Sequence, residues 1–116
     1  MANAIDTVLQ IAFNEVGYLE KETNANLYDK EANAGNENYT KYANDLDKIG
    51  NIYNSKKNGY AWCDMFVDWC FITAFGVEKG LSVIYQPYNS AGAGCYYSSQ
   101  YYKNAGRLFS TPKKGD

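Results

Sequence analysis

The chain has 116 residues, 46% of them apolar, and a formal charge of −2, which suits one domain or part of one with an ordinary core. That balance, with a pI near 5.1, argues against a nucleic-acid binder, which carries a basic patch. No apolar run approaches the ~20 residues of a membrane span, and Met1-Ala2-Asn3-Ala4 lacks the charged and apolar regions of a signal peptide. The expectation is a chain that stays cytoplasmic until released or exported by another route.

In chain order, Ile5, Val8, Leu9, Ala12, Phe13 and Val16 recur at helical spacing. Asn3 is the expected N-cap, with Asp6 in a capping-box-like position and Gly17 closing the segment. From Tyr18 to Asn38 the composition turns to Asn, Glu, Lys and Gly and reads as a long loop. Within it, Asp29 to Gly35 alternates oxygen side chains as calcium loops do. The glycine falls one place late and the closing bidentate glutamate is missing, so a solvated loop is the better reading. No cofactor is expected.

Asn38 is placed as the cap of a short second helix carrying Tyr39, Tyr42, Ala43 and Leu46. A turn-rich connection over 47–60, with Asn58-Gly59 read as flexible, leads to an apolar helix over Trp62–Phe75 that Gly76 stops. On that helix Cys63, Phe66, Val67, Cys70 and Ala74 share a stripe, while Asp64 and Asp68 sit together elsewhere. A helix apolar nearly all round is expected to be buried, with Asp64 serving the first turn through the helix dipole. Leu81 to Tyr85 is open between strand and helix; Ser90 reads as the cap of a last helix to Asn104, with Gly106 after it. Arg107 to Ser110 could begin a strand before a closing turn. Four helices and almost no strand material result.

Three residue types carry the chemical reading. Histidine is absent, and Cys63, Cys70 and Cys95 show no paired spacing, so a zinc site is not indicated. Cys63 and Cys70 lie two helical turns apart, ~10 Å along one helix, beyond disulfide reach. Cys70 and Cys95 read as small core residues. Cys63 differs by position: the first turn of a helix favours a thiolate, which is how cysteine nucleophiles are commonly built. The chain also holds twelve tyrosines, and Tyr96, Tyr97, Tyr101 and Tyr102 line up as an aromatic stripe suited to helix packing or to a polymer groove.

Ala61-Trp62-Cys63-Asp64-Met65-Phe66-Val67-Asp68-Trp69 resembles the W-C-x-x-F-V-x-W signature of the CHAP domain, the cysteine, histidine-dependent amidohydrolases/peptidases. The upstream Val16-Gly17-Tyr18 and the closing Pro112-x-x-Gly115-Asp116 resemble that family too. The resemblance implies an α+β fold related to papain-like and NlpC/P60 enzymes, in which helices precede an antiparallel sheet bearing the histidine. It implies cleavage of peptidoglycan amide bonds, as in phage endolysins and bacterial autolysins, with Cys63 as nucleophile. Residues 1–116 would then be the mostly helical N-terminal portion of one such domain, inactive alone for want of the histidine. Its partners would be peptidoglycan and either the missing half or a second copy. The alternative expectation is a non-catalytic, tyrosine-rich helical module that binds cell wall or a protein.

Overall fold

The computed structural model describes residues 3–114 and 116; Met1 and Ala2 of the N-terminal reading and Gly115 of the closing motif lie outside them. Five helices follow one another: α1 (Ala4–Phe13), α2 (Lys41–Ile49), α3 (Cys63–Phe75), α4 (Val77–Val83) and α5 (Cys95–Asn104). Among the described residues there is no sheet, only isolated bridges joining Lys21 to Ala34 and Tyr39, and Tyr53 to Ser90. The strand considered over Arg107 to Ser110 does not form, and Leu81 lies within α4.

Local chemistry sets the helix ends. The Asn3 side chain accepts the Asp6 N–H at 2.8 Å, capping α1 as its sequence position suggests. The second cap is Thr40 rather than Asn38: its hydroxyl accepts the Ala43 N–H at 3.2 Å, while Asn38 has a left-handed φ of 64° that no helix continues. The last helix likewise starts at Cys95, later than Ser90, which instead bridges to Tyr53. Gly76, at φ 85°, ends α3 and turns the chain into α4.

All four other helices pack on α3. Met65 and Ile72 of α3 join Ala43, Leu46, Ile52, Tyr53, Leu81 and Ile84 in the core. Beside that core Tyr42 of α2, 1% exposed, is an aromatic hub. Its ring lies 4.8 Å from Tyr18, 5.6 Å from Trp62, 4.8 Å from Phe66 and 4.9 Å from Trp69, separations typical of favourable aromatic pairs. Its hydroxyl donates to Glu15, which also pairs with Lys41.

The 18–39 segment is irregular but organised. Lys21 is fully buried, with its ammonium 4.9 Å from the Tyr18 ring centroid and bonded to the Asp29 carbonyl at 2.6 Å.

The central helix is less buried than its composition suggests. Val67 is 45% exposed, and α1 contributes no fully buried residue. An apolar groove of about 380 Å³ runs between Ile5, Val8 and Leu9 of α1 and Phe66, Val67 and Phe71 of α3. Its lining is apolar apart from Cys70, Lys79 and Asp116, and Cys63 does not line it.

Helices α3 and α4 approach closely at Gly80, where a β-carbon would stand 2.9 Å from the Ile72 Cα and 3.0 Å from the Phe71 carbonyl oxygen. Both neighbours are backbone, so the helices themselves would have to part. Gly80→Ala is therefore expected to destabilise the fold by ~1–3 kcal/mol, the usual cost of overpacking. Urea unfolding beside Ser82→Ala, at an exposed position of the same helix, checks this: equal midpoints would remove the steric account.

Candidate functional site

Cys63 is the first residue of α3 and is exposed. Its placement starts with the turn before it, which is pinned rather than flexible. The Asp47 carboxylate accepts the Lys57 and Asn58 N–H groups at 2.8 and 2.9 Å, and the Asn58 side chain accepts the Thr40 N–H at 3.0 Å. Gly59, at φ 99°, then reverses the chain against the Tyr39 ring. Trp62 follows, stacked on Tyr42 at an interplanar angle of 24°. The N-terminus of α3 has no side-chain cap, so its first-turn N–H groups remain available beside the thiol.

Cys95, expected in the core, is instead exposed at the first position of α5, and its sulfur lies 3.5 Å from that of Cys63. The hydrogen bond to Cys63, followed by partial burial and nearby negative charge, pushes the Cys95 thiol up. Cys70 is the cysteine that does sit in the core; burial pushes its thiol up to about 12, which marks it as inert.

The two acids of α3 face inward, reversing the usual expectation for a charged pair on a helix. Asp64 is 8% exposed and Asp68 2%. Asp64 accepts a 2.7 Å hydrogen bond from Ser98 of α5, whose hydroxyl also lies 3.3 Å from the Gly92 carbonyl. Asp64 is thus a tie between helices, beyond any help it gives the first turn. The Tyr53 hydroxyl donates to Asp68 at 2.5 Å. Gln86 stands beside this pair, and among the described residues neither polar atom of its buried amide reaches a partner at hydrogen-bonding geometry.

Loss of water on burial, then the neighbouring Asp64, pushes the Asp68 carboxyl up to about 8. Burial raises Asp64 as well, against the pull of Ser98. Tyr102, facing the same acids, is pushed up to about 12 by burial first and by Asp68 and Asp64 next. Near neutral pH, then, the Asp68 carboxyl is largely protonated, which relieves the like-charge contact along α3.

The remaining sequence candidates separate. The Asp29 carboxylate accepts the Glu31 and Ala32 N–H groups, each at 2.9 Å, so the supposed calcium loop closes on its own backbone. Among the described residues no three carboxylate or thiol side chains converge to hold a metal ion. Of the tyrosine stripe, Tyr96 and Tyr97 are 70% and 49% exposed, whereas Tyr101 and Tyr102 are half-buried. Among the described residues no helix is long and apolar enough to cross a membrane. Among known proteins, no family model, no curated sequence and no solved structure matches the chain.

The raised Asp68 carboxyl fixes a sign. Between about pH 4, where an unfolded carboxyl titrates, and about 8, the folded chain keeps a proton that the unfolded chain has lost. Stability therefore falls as pH rises through that window. Asp68→Asn, which retains an acceptor for Tyr53, should flatten the fall without abolishing it, because Asp64 contributes with the same sign. Urea midpoints measured from pH 4 to 8 test this, and parallel slopes for both proteins would refute it.

Proposed function

We propose that this chain is the cysteine-bearing helical part of a peptidoglycan hydrolase of the CHAP type, an amidase or endopeptidase in which Cys63 is the nucleophile. The observation that carries the reading is the exposed Cys63 thiol at the uncapped start of α3, inside the Trp62–Trp69 signature. The Cys63 sulfur attacks the carbonyl carbon of a wall amide bond, and the first-turn N–H groups of α3 receive the developing oxyanion. The amine leaves with a proton, and water then cleaves the thioester and restores the thiol.

That sequence of steps needs a group to take and return a proton. The chain has no histidine, Asp64 is engaged by Ser98, and Asp68 is sealed against Tyr53. The imidazole accordingly comes from residues other than these 116, on a sheet that completes the α+β, papain-like arrangement of the family. The apolar groove between α1 and α3 and the exposed Leu108 and Phe109 supply surface for such a half, or for a second copy of the chain. The site of action is the bacterial cell wall.

One observation favours a second reading, a non-catalytic module that binds wall polymer or a protein. Tyr96 and Tyr97 present their rings to solvent directly after Cys95, as stacking surfaces for sugars do. Retention on peptidoglycan that survives alkylation of Cys63 would support that module.

Alone, the chain is expected to release nothing from purified cell walls. Fused to a segment that supplies the histidine, it should solubilise them. Cys63→Ala in the fusion should lower the rate by ~10⁴-fold or more, as losing a nucleophile does elsewhere. Full lysis by Cys63→Ala would end the assignment.

A further inference from the structure

We propose that Cys63 and Cys95 form a redox-active dithiol site, oxidised by hydroperoxides to a reversible disulfide that joins the start of α3 to the start of α5. The thiol chemistry does not depend on the hydrolase reading; its consequence, that the disulfide switches off amide cleavage, rests on the nucleophile reading above.

The two sulfurs are 3.5 Å apart, and both residues are exposed. Bond formation needs a closing of ~1.5 Å to reach disulfide length, a distance that rotation of two exposed side chains can supply. The approach is held by the fold rather than by the thiols. Ser98, one turn along α5 from Cys95, is bonded to Asp64, the neighbour of Cys63, so the helix starts are tied beside the sulfur pair. The third cysteine does not compete: Cys70 is 3% exposed and two turns from Cys63 on the same helix. The thiols also differ in role. The hydrogen bond between the two sulfurs pushes the Cys95 thiol up, which suits Cys63 to react first and Cys95 to resolve.

The hydroperoxide transfers its terminal oxygen to the Cys63 sulfur, an S–O bond forming as the O–O bond breaks. The alcohol, or water, leaves with the Cys63 proton. The Cys95 sulfur then attacks the Cys63 sulfur; the S–S bond forms, the S–O bond breaks, and water departs with the Cys95 proton. Two thiols together lose two electrons, and the hydroperoxide gains them. A dithiol reductant reverses the bridge by thiol–disulfide exchange.

The test treats the full chain with hydrogen peroxide, alkylates the remaining thiols and maps peptides by mass. The expected result is joint loss of Cys63 and Cys95 alkylation, a Cys63–Cys95 linked peptide, an unmodified Cys70, and full recovery with dithiothreitol. Cys95→Ser, a change at an exposed position, should divert Cys63 to sulfinic acid that dithiothreitol does not restore. Ser98→Ala should slow linkage several-fold by loosening the start of α5. The proposal is overturned if Cys63 reaches sulfinic acid equally fast with and without Cys95, or if both thiols stay alkylatable throughout. These readouts need no wall hydrolysis. A linked peptide together with a fully lytic Cys63→Ala fusion would sink the hydrolase reading and leave the dithiol site standing.

Discussion

The position of the reactive-looking end of α3 depends on the stacking of Trp62 on Tyr42. Tyr42 is almost wholly buried on α2 and meets four other aromatic rings, three of them on or immediately before α3. Each such contact adds about 0.5–1.5 kcal/mol beyond area burial, and together they fix the height and rotation of α3 relative to α2. Because Trp62 is adjacent to Cys63, the same packing sets where the thiol emerges. The polar tip of Tyr42 is bound through Glu15 to Lys41, so the hub also anchors the chain as it leaves α1. An apolar cluster thereby holds in place a residue whose chemistry is polar.

A second layer of control runs through carboxyl groups. Asp64 and Asp68 look like an exposed pair, since on a helix they share one face and repel each other. Their burial is tolerated because each finds a hydroxyl, from Ser98 and Tyr53, and because one of the two carries a proton near neutrality. Each bond spans a different gap in the sequence, and together they hold the 50s segment and α5 against adjacent turns of one α3 face. The unsatisfied amide of Gln86 is the remaining cost at this junction.

What could be read from the sequence divides along the same line. Local signals were legible: the Asn3 cap, the stop at Gly76, the start of α3 within one residue of Trp62 and the near absence of strand each depend on neighbours within a turn. Thr40 displaced Asn38 as a cap because Asn38 was drawn into a left-handed turn bonded to Glu20. Cys95 was read as core because nothing within a few residues reveals the sulfur lying 32 positions away. The inward acids and the buried Lys21 were illegible for the same reason, their partners being supplied by tertiary packing. In the candidate site, therefore, Cys63 was visible from its own segment, and its surroundings were not.

The shallow seating of α1 divides the molecule into parts of unequal persistence. Its residues are half-buried at best, and beyond its packing on α3 it is moored by the Glu15 contacts to Tyr42 and Lys41 just past its end, by the Lys30 ammonium at the Asn14 and Val16 carbonyls and by a solvent-exposed Lys114–Asp6 pair. Exposed pairs of that kind contribute little. Helix α1, with no fully buried residue, is therefore expected to open at less than the cost of global unfolding, before the core built on α3 gives way. Amide protons of α1 would exchange early and those of α3 late, and each opening would bare the Cys70 side of α3 without disturbing the end that carries Cys63.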